Sequence, residues 1–194
     1  MIKGDGDDYD LLDKWSKGYD CQGFYSCEIG IREGGGSKLI MDNVVNNFFH
    51  VGIDPYGDRK YQHFDNDELF KWKGYEKGES PTYPDSMKDQ MLKDFDDYIR
   101  RGKFHFACFT DTDFMSNKDY SRMIFSFVHF DGPHTTKAVL QEAIWFANRS
   151  APNARFVFDD HEFYEMDIIA QALVHWKFKT REVGDHKILL EKKC

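Results

Sequence analysis

Strand-like apolar runs alternate with helical patterns along this chain, and no other feature constrains the fold as strongly. The runs are GFYSCEIGI, FHVGIDPYG, KFHFACF, IFSFVHF and ARFVF, and a segment with helical character separates each from the next. This order predicts parallel strands joined by right-handed crossovers. The chain closes with KFKTREV and HKILLEK around a Gly-Asp turn, which indicates an antiparallel hairpin. We therefore predict a doubly wound α/β fold with a mostly parallel, seven-stranded sheet.

A length of 194 residues suits a single domain, and no shift in composition marks a boundary within it. Residues 58–85 are aromatic, polar and without a clear period, and an amphipathic helix follows them as far as Gly102. We predict one domain over residues 1–194, with a lid or acceptor-binding insertion at 58–102. The alternative for the aromatic part is a surface loop with a small cluster of its own.

Charge and cysteine content indicate the kind of partner to expect. The net charge of −8 disfavours a general binder of nucleic acids, which presents a basic face. No apolar run approaches the roughly 20 residues of a membrane span, and the acidic N-terminus has no apolar signal region. The four cysteines form no C-x-x-C pair. We expect a cytoplasmic protein with reduced thiols and neither a nucleic-acid nor a membrane partner; a homo-oligomer is left open.

Acidic residues end or follow all five predicted parallel strands. In open α/β sheets, ligands bind at this carboxyl edge. Any one of these acids alone would be an ordinary turn or helix cap, but together they make the edge strongly negative. The edge therefore requires a cationic ligand, a metal ion, or both. The acids are Glu28, Asp54, Asp111, Asp131 and the pair Asp159–Asp160.

The segment EIGIREGGGS forms a glycine-rich turn between the first strand and its helix. Such a turn usually accepts a nucleotide-like group, although Arg32 occupies the place of a middle glycine in G-x-G-x-x-G. Asp54, at the end of the second strand, can accept hydrogen bonds from two ribose hydroxyls. Few basic residues flank the turn, which disfavours a pyrophosphate. A nucleoside with a positive centre, such as S-adenosylmethionine (SAM), suits the site better.

Asp131, Asp159 and Asp160 form a second group, because they end neighbouring strands that lie about 5 Å apart. Three oxygen donors without cysteine favour a hard cation such as Mg²⁺. The alternative is that Asp159 and Asp160 only cap the next helix. His134, just past Asp131, is a candidate general base.

With these motifs the chain resembles the class I SAM-dependent methyltransferases. From about residue 20 onward it is most similar to the macrocin- and catechol-type small-molecule O-methyltransferases, methyltransferase family 24. The family's DG-x-H motif matches Asp131, Gly132 and His134, and in the catechol type a lysine base stands where His134 stands here. Asp159 and Asp160 match the second metal acid and its neighbour. SAPNAR replaces the usual Gly-Gly turn before the fifth strand.

The resemblance implies a Rossmann-like fold, SAM as cofactor, and Mg²⁺ or Mn²⁺ on Asp131, Asp159 and Asp160. The implied reaction is metal-assisted O-methylation of a hydroxylated small molecule of sugar, macrolide or catechol-like type. His134 and Asp131 would be catalytic. The implied cofactor-binding residues are Glu28, Gly30, Arg32, Gly34, Gly35, Ser37, Asp54, Asp111 and Asp131.

Two other functions remain open at this point. One is a metal-dependent hydroxylase or hydrolase, since cephalosporin-hydroxylase-like proteins share part of the pattern. Its ligands would be Asp131, His134, Asp159, Asp160 and His161. The other is a non-catalytic module that keeps the SAM pocket without turnover.

Overall fold

Seven strands form one sheet in the computed structural model, which describes residues 8–57, 62–65 and 83–193. The strands are β1 (Tyr25–Ile29), β2 (His50–Ile53), β3 (Phe104–Ala107), β4 (Phe125–Phe130), β5 (Ser150–Phe158), β6 (Phe178–Val183) and β7 (Ile188–Lys192). The helices are α1 (Tyr9–Ser16), α2 (Gly35–Asn43), α3 (Asp85–Asp94), α4 (Asp96–Arg100), α5 (Asp111–Ser116), α6 (Thr136–Ala147) and α7 (Met166–Leu173). None of these described helices combines the length and apolar character needed to cross a bilayer.

The strand order across the sheet is β3-β2-β1-β4-β5-β7-β6. Strands β1 to β5 are parallel, and β7 pairs antiparallel with both β5 and β6. The predicted doubly wound fold with a closing hairpin is therefore confirmed. The chain order reverses between β1 and β4, which is where an open α/β sheet leaves a crevice for a ligand.

Side chains alternate between the two faces of the sheet, and each face buries its own apolar layer. One face packs Phe127, Val157 and Leu189 against α1 and α2. The opposite face packs Phe130 and Phe156, with other aromatic residues, against α5, α6 and α7. Both faces of the central strands are thus covered, as expected for a parallel sheet.

Three local predictions differ from the observed structure in their boundaries. Helix α2 begins at Gly35, inside the segment predicted as a glycine-rich turn, because Gly34 (φ 90°) starts the helix from a left-handed conformation. The amphipathic stretch near Gly102 is two helices, α3 and α4, since the backbone of Phe95 leaves the helical region (φ −97°, ψ 3°). Helix α5 was missed, because its six residues are too few to show a helical period.

Strand β5 is longer than predicted. It begins at Ser150 and includes the SAPNAR segment, which was read as a loop. The register with β4 shifts between Phe125 and Phe127, and Asn153 has a positive φ of 60°. The segment contains proline and asparagine, which are common in turns, and for this reason its sequence indicates a loop and not a strand.

The structure describes only part of the proposed insertion at 58–102. From residue 83 onward it forms the crossover that joins β2 to β3, where Met91 and Phe95 pack against Phe104. That part belongs to the scaffold. Residues 58–61 and 66–82 lie outside the described residues, so the lid hypothesis for them stays a prediction.

The turn after β1 approaches the end of β4 so closely that only glycine fits at residue 30. Gly30 has φ +81°, and a Cβ there would lie 1.9 Å from the carbonyl oxygen of Asp131. Gly102 also has a positive φ, +64°, but has open space around its Cβ position. A side chain at Gly102 would meet only backbone strain, whereas one at Gly30 would meet both backbone strain and a steric clash.

We expect Gly102→Ala to lower the free energy of unfolding by roughly 1 kcal/mol, the cost of the positive φ alone. Gly30→Ala should lower it by roughly 2 kcal/mol more, because two strands must move apart. Urea unfolding of the two variants and the wild type measures the difference. Equal losses at the two positions would contradict the observed approach of the turn to β4.

Candidate active site

Five ionisable side chains gather at the carboxyl edge on the α1–α2 face of the sheet, and strand register explains why. Glu28 of β1 is the register partner of His129 in β4. Phe158 of β5 pairs with Ile188 of β7, so the next residues, Asp159 and Lys187, lie side by side. The fifth member of the group is Asp131, two residues beyond His129 on the same face.

Four of these side chains, Glu28, His129, Lys187 and Asp159, form one buried hydrogen-bonded chain. Lys187 Nζ donates to Asp159 Oδ1 and lies 3.4 Å from His129 Nε2. Nδ1 of His129 lies 2.8 Å from Glu28 Oε1. Because an ammonium can only donate, His129 accepts on Nε2 and donates from Nδ1, and this direction assigns its tautomer. His129 and Lys187 were not recognised from the sequence, although the two-residue period of their strands places both on this face.

The chain continues from Glu28 beneath the glycine turn. The Ser37 hydroxyl donates to Glu28 Oε2 over 2.5 Å, and His50 Nε2 lies 3.0 Å from Ser37 Oγ. On its other side the ring of His50 lies 2.8 Å from Ser26 Oγ, which accepts from Asn47 at 2.9 Å. Burial lowers the pKa of His50 to about 3, so its ring is neutral at ordinary pH.

Glu28 therefore supports the predicted cofactor turn from below. It is 1% exposed, and its two oxygens already accept from Ser37 and His129. A Cβ at Gly36 would lie 2.0 Å from Glu28 Oε1, so the third glycine of the run leaves room for this carboxylate. Its direct contact with a cofactor stays a prediction, as does that of Gly35 in the first turn of α2.

Asp54 closes the glycine turn onto the end of β2. Its Oδ2 accepts from the backbone N–H of Arg32, and its Oδ1 accepts from that of Tyr56, each over 3.0 Å. The Tyr56 hydroxyl donates to the carbonyl of Arg32, and the Arg32 guanidinium lies 5.3 Å from the centre of the Tyr83 ring. Burial raises the pKa of Asp54 although these backbone donors lower it. Each oxygen keeps a lone pair that a ribose hydroxyl can use.

Asp111 lies at the start of α5 and is half-buried. The sequence did not single out its neighbour Glu142, a residue of α6 that is 1% exposed. Burial, and then the charge of Asp111, raises the pKa of Glu142 well above its usual range. The helical period of α6 places Glu142 on the side that faces the sheet, but an acid is rarely buried there, so the period alone did not mark it as a site residue.

Asp131 and Asp159 lie close enough together that each affects the pKa of the other. Burial, followed by the charge of Asp159, raises the pKa of Asp131 well above its usual range. Burial also opposes ionisation of Asp159, but the charge of Lys187 and its hydrogen bond outweigh burial and lower the pKa of that carboxyl. The side chain of Asp131 is 20% exposed, whereas that of Asp159 is 6% exposed. Asp131 is thus the member of the pair that a ligand can reach.

His134 follows β4 and is buried under a described segment from the loop after β2. It is 3% exposed, with the His63 ring 5.0 Å and the Phe64 ring 5.9 Å from its own. Its Nδ1 lies 3.2 Å from Asp160 Oδ2, but neither ring nitrogen makes a well-oriented hydrogen bond within the described part of the chain. Burial, and then His63, lowers the pKa of His134 to about 3.

The residues predicted to hold a divalent ion are not brought together as predicted. Asp131 and Asp159 can approach a common point with His134, but Asp160, which has a left-handed backbone (φ 48°), is not part of that group and contacts only the His134 ring from it. One oxygen of Asp159, Oδ1, already accepts from the Lys187 ammonium. Asp131, Asp159 and Asp160 therefore do not form the predicted metal site, and the proposed reaction uses no metal ion.

Asp160 instead belongs to the β6–β7 turn region. It can meet Glu162 and His186 at one point, and burial, followed by Asp159 and Glu162, raises its pKa to about 7. His161 is 3.1 Å from the carbonyl oxygen of Gly184. The candidate metal-ligand groups among the described residues do not include His161, so the hydrolase arrangement of five ligands is not assembled.

The sequence matches no known protein-family model and no curated protein, but the fold matches solved structures. A methyltransferase from Geobacter sulfurreducens has a TM-score of 0.59 at 12% identity, covering 100% of this chain and 82% of that one. An O-methyltransferase from Bacillus cereus, solved with S-adenosylhomocysteine (SAH), has a TM-score of 0.56 at 11% identity, covering 94% and 77%. An rRNA methylase from Streptococcus thermophilus has a TM-score of 0.53 at 9% identity, covering 100% and 99%.

These similarities show that the chain has the Rossmann-like fold of methyltransferases. One of these neighbours is called an O-methyltransferase and another an rRNA methylase, and all three have low sequence identity to this chain. The fold therefore does not select an acceptor.

The buried histidines predict how stability depends on pH. An unfolded histidine has a pKa near 6.5, whereas that of His50 is about 3 in the folded protein. The folded state thus excludes a proton that the unfolded state binds, so stability is full above about pH 6.5 and falls as the pH drops below it.

We expect His50→Asn to reduce the number of protons taken up on unfolding near pH 5 by about one, which is roughly 1.4 kcal/mol per pH unit of slope. His175→Asn changes an exposed histidine and is the matched control. Urea unfolding at a series of pH values measures the slopes. A slope unchanged by His50→Asn would contradict a buried neutral ring.

Proposed function

We propose that the protein is a SAM-dependent methyltransferase that methylates a hydroxyl of a small molecule. The observation that carries the proposal is the glycine turn closed on Asp54 at the point where the strand order reverses. This arrangement offers a hydroxyl-binding acid and a close backbone approach at the position where the fold binds ligands. The neighbours solved with SAH support the same choice of cofactor.

The chain's own groups fit a cationic nucleoside. Bound SAM would supply the electrophilic methyl group. Asp54 would accept from the ribose hydroxyls, and Gly30 would let the backbone approach without a side chain. Asp131, the exposed end of the acid pair, would face the positive part of the cofactor. The negative edge predicted from the sequence is thereby matched with a positive ligand.

His134 is the proposed base. Its ring is neutral, so it can accept the proton of an acceptor hydroxyl while the oxygen takes the methyl group. The rings of His63 and Phe64 cover it in this structure, and they must withdraw for an acceptor to reach it. Access of water would bring its pKa back toward about 6.5, where it is a better base.

The acceptor class rests on charge and on resemblance. A net charge of −8 opposes a polyanionic acceptor such as RNA. The match of Asp131 and His134 to the DG-x-H motif supports the macrocin and catechol type, and so a sugar, macrolide or catechol-like hydroxyl. A cytoplasmic location and the absence of membrane and nucleic-acid partners belong to the same proposal. The proposed reaction uses proton removal by His134 and no divalent ion.

Cofactor binding tests the first half of this proposal. Asp54→Ala should weaken SAH binding by roughly 1.5–3 kcal/mol, the scale of hydrogen bonds to a charged group. Asp89→Ala removes an exposed carboxylate from α3 and should leave the affinity unchanged. Calorimetric titration with SAH measures both, after circular dichroism has shown that each variant is folded. Unchanged affinity in folded Asp54→Ala would remove Asp54 from the cofactor site.

Turnover tests the second half, after sugars, catechols and other hydroxylated compounds have been screened with methyl-labelled SAM. His134→Ala should lower the rate by about 10²–10⁴-fold with SAH affinity intact. The loss should shrink as the pH approaches the acceptor's own pKa, since the acceptor then ionises unaided. His175→Ala is the control. Full activity in His134→Ala would make His134 a bystander, and SAH binding with no acceptor in the screen would favour the non-catalytic module.

A further inference from the structure

The acid pair at the ends of β4 and β5 already has a cation of its own. Lys187 is 0% exposed, and its Nζ donates to Asp159 Oδ1. Lysine is almost never fully buried unless it is paired, because an unpaired buried charge is strongly unfavourable. The two carboxyls therefore do not lie at this edge as an unmatched negative site.

The position of this ammonium is set by the backbone. Strand β7 holds Ile188 opposite Phe158, and the Gly184 N–H donates to the Lys187 carbonyl over 2.7 Å, which closes the hairpin turn. The ammonium also lies 3.4 Å from His129 Nε2. An ion that bound Asp159 from the same side would have to displace an ammonium that has two acceptors and no exposed surface.

We propose that Lys187 is a built-in cation that takes the place of a divalent metal ion at Asp131 and Asp159. The inference rests on the proposed function, because it states how that reaction proceeds without a metal. It is also consistent with the position of Asp160, whose Oδ2 lies 3.2 Å from His134 Nδ1 but which does not join Asp131 and Asp159 in one group.

Lys187 acts on the site through Asp159. Its ammonium supplies the counter-charge to the Asp159 carboxylate, which lies beside Asp131, the more exposed member of the pair. The ammonium itself lies behind these acids and does not touch an acceptor oxygen. Lys187 is thus a positioning residue, and removal of the acceptor's proton depends on His134 alone.

Thermal unfolding with and without divalent ions tests the proposal. The melting temperature of the wild type should be the same in millimolar Mg²⁺, in millimolar Mn²⁺ and in EDTA. Lys187→Met, which keeps the side-chain shape and removes the charge, should melt roughly 10 °C lower, because Asp159 loses its buried partner. Millimolar Mg²⁺ or Mn²⁺ should restore part of that loss by binding the exposed acid pair.

Two variants serve as controls. Lys187→Met combined with Asp159→Asn removes both charges, so it should recover most of the melting temperature and show no response to either ion. Lys179→Met, an exposed position on β6, should behave as the wild type. If Lys187→Met does not fold, a folded and ion-insensitive double variant still supports the proposal, whereas an unfolded double variant overturns it.

A wild-type melting temperature that rises with Mg²⁺ or Mn²⁺, and that no longer rises in Asp159→Asn, would show a metal site and overturn the proposal. Calorimetry with SAH keeps this result separate from the proposed function. If the wild type does not bind SAH, the methyltransferase assignment is refuted, but the result with the ions is unaffected. Normal SAH binding with an ion response would refute only the role of Lys187.

Discussion

The hydrogen bond between His129 and Glu28 joins β1 to β4 at the point where the strand order reverses, and the rest of the site depends on it. Through Ser37, Glu28 supports the start of α2 and so the glycine turn. Through Lys187, His129 reaches the acid pair that ends β4 and β5. Buried charges of this kind are tolerated only when each has a partner, so the two halves of the site cannot be changed independently.

The same face of the sheet changes character along its length. Away from the carboxyl edge it is apolar, with Phe127, Val157 and Leu189 against α1 and α2. Two residues further along the same strands it becomes a line of charges. The apolar layer excludes water from one side of these charges, which strengthens their interactions. The opposite face, packed with Phe130, Phe156 and their neighbours, supplies the stability that a polar edge does not.

Period and turn chemistry predicted the parallel strands, the closing hairpin and the adjacency of Asp131 to Asp159. They did not predict Lys187, because no local pattern states which strand β7 joins; its place beside β5 is a tertiary choice. The sequence did not predict the short helix α5 or the irregular start of β5 for a different reason. Each spans too few residues to show a regular period. The burial of His134 under Phe64 depends on a loop contact distant in sequence, which propensities do not encode.

The placement of β7 has a consequence for the order in which the sheet is built. It is the last strand of the sheet along the chain, yet it occupies an interior position between β5 and β6. β6 therefore cannot join the sheet before β7 arrives, although it leaves the ribosome first. Because Lys187 directly precedes β7, pairing of β7 with β5 also brings the ammonium to Asp159. A nascent chain that lacks this strand carries an incomplete sheet with an exposed edge on β5, which is the state in which chaperones would meet it.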